Sequence, residues 1–226
     1  MNLRKACVLL LAGALPVVLS GCKNHHRYYD DGVIHAKSDN GEVSITKMGG
    51  GIDVDDAPQG ATLTTMGGGI HVGNVAVFAR LKTMGGGIDI DRSTGIVDAS
   101  TMGGGITIGA ANGPIKATTM GGDIRVHETG SSTTERDIEL SSKGGTIELT
   151  VPKDFSMDVR IEVACTRFHS DCRIVQDAGL EVRETGGWDT SEGTARKYIR
   201  AAGQVGNGLN QVTIKTINGD VILRRE

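Results

Sequence analysis

The stretch TMGGGI at Thr65–Ile70 decides the fold. It recurs unchanged at Thr83–Ile88 and Thr101–Ile106, and its variants are KMGGGI at Lys47–Ile52 and TMGGDI at Thr119–Ile124. The five copies begin at residues 47, 65, 83, 101 and 119, so the period is 18 residues. A fixed period of this size is typical of stacked repeat architectures.

Apolar and polar residues alternate on both sides of the glycines. Four apolar columns recur with the same period: Ile52, Ile70, Ile88, Ile106, Ile124; Val54, Val72, Ile90, Ile108, Val126; Val43, Ala61, Ala79, Val97, Ile115; and Ile45, Leu63, Leu81, Ala99, Ala117. Polar residues stand between them: Asp53, His71, Asp89, Thr107, Arg125 in one strand, and Ser44, Thr62, Arg80, Asp98, Lys116 in the other. This alternation predicts two half-buried strands per unit. The expected fold is all-β, a single-stranded parallel β-solenoid (β-helix) with 18-residue coils.

The glycines lie between the two strands of each unit, where the chain has to turn sharply once per coil. Glycine permits positive φ and lets stacked backbones approach each other. A corner that alanine fitted would not need them. On the outward face, Arg80, Asp98 and Lys116 are expected to form a ladder of alternating charge that favours the 18-residue register.

Composition agrees with turn-rich β-structure. The chain has 226 residues, 34 of them glycine, and only 3% are aromatic. Helices tolerate this much glycine poorly. The formal net charge is −3 and the chain has no basic block, so nucleic acid is not an expected partner.

The N-terminus has the form of an export signal. A short basic start, MNLRK, precedes the apolar run ACVLLLAGALPVVLS, which is too short for a comfortable membrane span. The run ends at Leu19–Cys22, which resembles a bacterial lipobox. The resemblance implies a signal peptide that is cleaved before Cys22 and acyl chains, including palmitate, that hold Cys22 in the membrane. Lys23 follows the cysteine, which resembles an outer-membrane sorting address.

Two cysteines remain after these assignments. Cys7 leaves with the signal peptide and Cys22 carries lipid, so Cys165 and Cys172 are left in a compartment that permits disulfides. We predict that they pair. A redox or metal pair has less support, because the spacing is not C-x-x-C and His169 is a lone neighbour.

The period extends beyond the five obvious copies. Ile34 and Ala36 fit an additional first coil, DIELSSKGGTIEL at 137–149 repeats the spacing, and QVTIKTINGDVIL at 211–223 closes the array. The predicted organisation is a signal peptide at 1–21, a lipidated N-terminus and tether at 22–32, solenoid coils at 33–150, an irregular, disulfide-pinned β-insertion or end cap at 151–210, and a closing coil at 211–226.

These motifs together resemble a known family. The lipobox, the recurring G-G-x-I-x-[VI] and the closing VTIKTINGDVIL are similar to a bacterial family of unknown function that is provisionally labelled as adhesins. Its members are envelope-associated β-solenoids. The likeness covers most of 32–226 and implies an envelope location, but it brings no catalytic residues.

Metal binding along the strands has weak support. Calcium-binding solenoids place an Asp at each coil, whereas the column here ends in Arg125. One isolated site remains as an alternative to a solvated face with His71 between two carboxylates, and it would draw on Asp53, Asp55, His71, Asp89 and Asp91. His25 and His26 are interpreted as part of a polar tether.

The methionines of the repeat form the sharpest candidate site. Met48, Met66, Met84, Met102 and Met120 would stack at one corner. The sequence leaves three roles open for these methionines. They shield the glycine turns, form an apolar docking face, or bind Cu(I) through soft thioethers.

The predicted function is a lipid-anchored envelope solenoid at the outer membrane, facing the periplasm or the surface. It acts as a structural, adhesion or binding module, with no catalysis, cofactor or metal. Expected partners are the membrane, through Cys22, and an envelope polysaccharide, another envelope protein or a second copy. The alternatives are periplasmic copper binding and a glycan-active enzyme.

Overall fold

The structure, a computed structural model, describes residues 7–9, 17–19, 25–30, 32–38, 41–130, 136–169, 171–190 and 194–226. These residues form strands and no helix. In chain order the strands are β1 (Cys7–Leu9), β2 (Val17–Leu19), β3 (His25–Asp30), β4 (Val33–Ser38), β5 (Val43–Lys47), β6 (Ile52–Ala57), β7 (Ala61–Thr65), β8 (Ile70–Val75), β9 (Phe78–Lys82), β10 (Ile88–Ser93), β11 (Ile96–Thr101), β12 (Ile106–Ala111), β13 (Ile115–Thr119), β14 (Ile124–Glu128), β15 (Ile138–Ser142), β16 (Ile147–Val151), β17 (Met157–Thr166), β18 (Ile174–Gln176), β19 (Glu181–Glu184), β20 (Arg196–Val205), β21 (Asn210–Ile217) and β22 (Val221–Arg225).

Two ten-stranded, mostly parallel sheets build the molecule. Sheet 1 has the order β18-β22-β16-β14-β12-β10-β8-β6-β4-β3, and sheet 2 has the order β19-β20-β17-β21-β15-β13-β11-β9-β7-β5. Each coil contributes one strand to each sheet. In sheet 1, Ile70 pairs with Ile52 on one side and with Ile88 on the other. The parallel β-solenoid with 18-residue coils is therefore confirmed.

The four predicted apolar columns form one core. Every member of the four columns is buried in the same hydrophobic cluster, with Val54, Leu63 and Ile88 fully inaccessible to solvent. Two further inward positions exist in each coil. One lies three residues after the second apolar residue of the sheet-1 strand, as at Ala57 and Val75. The other lies within one residue of the end of the sheet-2 strand and is a threonine or serine in most coils.

Close approach of backbones explains most of the glycines at the corner. A Cβ on Gly86 would overlap the backbone of Gly68 and Gly69 in the preceding coil. Among the described glycines of the five repeat motifs, only Gly50 has a positive φ, of 74°. The conformational freedom expected of these glycines therefore matters less than their lack of a side chain.

The predicted insertion forms an end cap. The closing coil, β21 and β22, stacks directly on β15 and β16. β17 then pairs in parallel with the far edge of β21, β20 pairs antiparallel with β17, and β19 pairs antiparallel with β20. On sheet 1, β18 adds to the far edge of β22. The closing coil is thus enclosed between the repeats and a cap that precedes it in the chain.

The N-terminal segments also contain strands. β1 and β2, in the predicted signal peptide, pair antiparallel with each other. β3, in the predicted tether, pairs antiparallel with β4, so part of the tether is continuous with sheet 1. β4 pairs in parallel with β6, as expected for an additional first coil.

The expected charge ladder keeps its register but not its ion pairs. Asp98 aligns with Arg80 and with Lys116 in the backbone pairing. The Arg80 guanidinium lies 5.0 Å from the centroid of the Phe78 ring instead. Lys116 Nζ lies 2.9 Å from Glu139 Oε2, and this hydrogen bond raises the pKa of Lys116. Lys116 therefore pairs with the residue opposite it in the following coil rather than with Asp98, and Arg80 contacts a ring of its own strand.

Candidate functional site

The Met–Gly corner, which consists of Met48, Met66, Met84, Met102, Met120 and the glycines that follow them, runs along one side of the solenoid. Each methionine follows the end of a sheet-2 strand by one or two residues. A Cβ on Gly85 would lie 3.5 Å from the carbonyl oxygen of Met66, and one on Gly103 would lie 3.5 Å from that of Met84. The corners of successive coils are therefore stacked backbone on backbone.

The five methionine side chains are exposed. Their exposed fractions range from 42% at Met84 to 59% at Met48. About half of each side chain is therefore in contact with the protein, which agrees with shielding of the corner as well as with a docking face. The corner is a strip of glycine backbone flanked by half-exposed thioether side chains.

A row of buried hydroxyl groups lies beneath this strip. The residues are Thr65, Thr83, Thr101, Thr119, Ser142 and Thr216. Each hydroxyl donates to the carbonyl of a glycine in the preceding coil, as Thr101 Oγ1 does to Gly86 O at 2.7 Å. In its own coil Thr101 Oγ1 also accepts a hydrogen bond from Gly104 N at 3.3 Å. The hydroxyls tie successive turns together and fix the corner in one conformation.

Lysine replaces threonine at the start of the row. Lys47 Nζ donates to the carbonyl oxygens of Gly32 at 2.6 Å and Gly51 at 3.1 Å. Partial burial lowers the pKa of Lys47. The longer side chain of Lys47 reaches the turn at Gly32 in the preceding coil, so an ammonium group holds the first turn of the corner.

The hydroxyl row can be tested at Thr101. We expect Thr101→Val to lower the free energy of unfolding by about 1–3 kcal/mol, because it leaves the Gly86 carbonyl without its buried donor. Thr101→Ser keeps the hydroxyl and should retain most of the stability. Urea unfolding of the two variants measures the difference, and equal stability of the Val variant and the parent protein would contradict the role of the hydroxyl.

The acidic and histidine residues of sheet 1 form a surface column. His35 Nδ1 lies 2.9 Å from Asp53 Oδ2. His71 Nε2 lies 4.0 Å from Asp53 Oδ1 and 3.8 Å from Asp91 Oδ2, so His71 stands between two carboxylates. Within the described ranges, no three His, Cys, Asp or Glu side chains are arranged to hold a metal ion.

Cys165 and Cys172 form the predicted disulfide, with their Cα atoms 6.2 Å apart. The bridge joins the end of β17 to the segment before β18 in the cap. Its loop presents Phe168, which is 92% exposed, and Arg167, whose guanidinium lies 5.5 Å from the ring centroid of Trp188. The predicted lipidation site, Cys22, lies outside the described residues.

Glu128 is a buried acid that the sequence analysis did not single out. It ends β14 and takes the inward position of Ala111 in the coil before, and its side chain is fully buried. Oε1 accepts a hydrogen bond from Gly130 N at 2.9 Å and lies 3.9 Å from Arg136 Nη1. Oε2 has no hydrogen-bond partner among the described residues.

Burial sets the protonation of this acid. It raises the pKa of Glu128 to about 7, although the Gly130 N–H and the Arg136 guanidinium act in the opposite direction. Glu128 and Arg136 lie in the segment where the repeat lengthens. Ile124 pairs with Ile147, so the step between these coils is 23 residues (147 − 124) instead of 18. The 18-residue spacing places Thr129, not Glu128, opposite Ala111, so the inward position of this acid arises from the register shift at the end of β14 and had no signal in the repeat pattern.

Comparisons of the chain with protein-family models, with curated proteins and with solved structures gave no match. The resemblance to the adhesin-labelled family therefore stays a prediction based on the lipobox and the repeated motif. Within the described part of the chain, no helix has the length and apolar character needed to cross a membrane.

Proposed function

We propose that this chain is a lipid-anchored β-solenoid of the bacterial cell envelope that acts as a structural, adhesion or binding module without catalysis. The Met–Gly corner is its docking surface. The observation that carries the proposal is the line of five half-exposed methionines along one stacked corner. Aligned apolar side chains that remain in water are characteristic of an interaction surface.

The chemistry of the corner suits docking. Glycine backbone offers a flat strip with no side chains to displace, and methionine adapts its shape to an apolar partner. The buried hydroxyl row keeps the strip rigid, so little order has to be gained on binding. The corresponding partner is another envelope protein, an envelope polysaccharide or a second copy of this chain.

The anchor is supported by the sequence alone. The segment Leu19–Cys22 resembles a lipobox, and Lys23 resembles an outer-membrane address. In the proposal, acyl chains on Cys22 attach the protein to the outer membrane, facing either the periplasm or the surface. The solenoid then starts close to the membrane, because β3, the edge strand of sheet 1, begins at His25, three residues after Cys22.

The docking surface is tested by replacing Met66, Met84 and Met102 together with serine. We expect the triple variant to bind isolated cell envelopes, or itself, about tenfold more weakly or worse, because the centre of the apolar strip is lost. Cosedimentation with envelope fractions and sedimentation velocity of the purified protein measure the two forms of binding.

A double variant, Val77→Ser with Ile96→Ser, is the matched control. These exposed apolar residues, 49% and 56% accessible, lie near the opposite corner of the coils. The control should bind like the parent protein. If the triple methionine variant also binds like the parent in both measurements, the Met–Gly corner has only a structural role.

A copper site is the competing proposal for the same residues. Neighbouring coils of a parallel sheet are about 4.8 Å apart, so adjacent thioethers of the column are close enough to share one Cu(I) ion. Titration of the purified protein with Cu(I) decides between the two proposals. Tight binding that is lost in the triple methionine variant would favour copper over docking.

A further inference from the structure

A groove of about 410 Å³ lies at the corner opposite the Met–Gly corner, where the chain passes from sheet 1 to sheet 2. It crosses consecutive coils after β6, β8 and β10. Its lining combines a polar row, Lys37, Asp56, Asn74 and Arg92, with an apolar wall that includes Pro58, Val75 and Ala76. A groove of this size holds a ligand of one or two sugar rings, since small-molecule sites begin near 300 Å³.

The polar row is neutralised at one end and cationic at the other. Lys37 Nζ lies 3.4 Å from Asp56 Oδ2, and Asn74 Nδ2 donates to Asp56 Oδ1 at 2.9 Å. Both carboxylate oxygens of Asp56 therefore have a partner. Arg92 stacks in register beneath Asn74 and forms no ion pair with any described acid. Its neighbour in the chain, Asp91, lies 3.8 Å from His71 Nε2 instead.

The wall beside Arg92 is small and apolar. Val75 is buried and forms part of the floor, while Pro58 and Ala76 rise next to it with more exposure. The turn is held in shape, because Thr94 Oγ1 donates to the carbonyl of Ala76 at 3.1 Å. A flat, rigid apolar surface beside hydrogen-bonding groups matches the two chemical characters of a sugar ring.

We propose that this groove binds a carboxylated sugar residue of an acidic polysaccharide. The guanidinium of Arg92 holds the carboxylate through two parallel hydrogen bonds, the geometry that distinguishes arginine from lysine. The sugar ring lies against Ala76 and Pro58, and the carbonyl oxygen of the Asn74 side chain accepts from a ring hydroxyl. The groove is open to solvent along Ala76, Arg92 and Thr94, all exposed, so a longer saccharide extends beyond it.

This site is separate from the Met–Gly corner, and its test does not depend on the proposed docking there. The probe is a trisaccharide of glucuronic acid, and the neutral comparison is the corresponding trisaccharide of glucose, which differs only in the carboxylates. Isothermal titration of the full chain is expected to show binding of the acidic trisaccharide and about tenfold or weaker binding of the neutral one.

Two variants locate the binding. Arg92→Gln should weaken the acidic trisaccharide about tenfold or more, because it removes the charged fork. Ala76→Trp fills the groove while both cations stay, and it should weaken binding to a similar degree. Lys82→Gln is the matched control, since it removes one exposed positive charge from sheet 2, and it should leave the affinity unchanged.

The contrary results are equally specific. The proposal is overturned if the acidic trisaccharide does not bind, if the glucose trisaccharide binds equally well, or if Arg92→Gln leaves the affinity as it was. Inorganic phosphate is the last arm of the titration. If phosphate displaces the trisaccharide and binds with the same affinity, the groove is a site for small anions and the assignment to a sugar is overturned.

Discussion

Gly86→Ala is expected to unfold the solenoid or to lower its free energy of unfolding by more than about 4 kcal/mol, the range of the most damaging single substitutions. The added Cβ would overlap the backbone of Gly68 and Gly69. Because the atoms it meets are backbone, no rotamer change relieves the overlap and the two coils have to separate. Separation lengthens hydrogen bonds between coils, such as Ile70 N to Gly87 O at 2.9 Å. Urea unfolding followed by circular dichroism measures the loss.

Gly49→Ala provides the matched control for this substitution. Gly49 is the first glycine of the motif copy at 47–52, whereas Gly86 is the second glycine of the copy at 83–88, and a Cβ on Gly49 has no neighbouring atom within 4 Å. Its stability should change by less than about 0.5 kcal/mol, as at an ordinary surface position. Equal effects of the two substitutions would mean that the glycines serve chain flexibility rather than close stacking.

Glu128 is expected to make the stability of the solenoid depend on pH between 4.5 and about 7. The pKa of Glu128 in the folded protein, about 7, is above the ordinary value of 4.5. In this window the folded chain therefore keeps a proton that the unfolded chain releases. The stability contributed by Glu128 is complete below pH 4.5 and is lost as the pH rises to 7, by up to about 3 kcal/mol.

Comparison with Glu128→Gln isolates this contribution from the other acids. The variant cannot titrate at this position, so its stability should decline less than that of the parent protein between pH 4.5 and 7. Urea midpoints at closely spaced pH values give both curves. Parallel curves would show that Glu128 is not protonated in the folded protein at these pH values.

The repeated part of the fold could be predicted because the apolar positions indicate which side chains of each strand face the core. Ile70 and Ile88 lie one period apart in sequence and are paired neighbours in sheet 1. A polar residue in an inward position breaks this rule. Thr65 is buried on the same face of its strand as Ala61 and Leu63. The alternation of polar and apolar residues predicts that a threonine faces solvent, so it gives the wrong side for Thr65. A threonine precedes the methionine in four of the five motif copies, and this recurrence is the signal that could have revealed the buried hydroxyl row.

Other features depended on contacts that no period records. Lys116 has a register partner on each side, Asp98 and Glu139, and the period alone does not say which of them it pairs with. Arg80 lies over the Phe78 ring of its own strand instead of pairing with Asp98. The groove at Arg92 depends on the shape of successive turns, and these turns have different sequences in each coil. The position of the cap was also not encoded locally, because β17 lies beyond a strand that comes later in the chain.

The position of β21 has a consequence for biosynthesis. The early coils can form in order as the chain is synthesised, since each stacks on its predecessor. The cap cannot take its place in this way, because β17 needs β21 as the layer beneath it. A chain that stops before Asn210 would leave the open edges of β15 and β16 available to foreign strands. Maturation of this end of the molecule therefore waits for synthesis to pass beyond the cap.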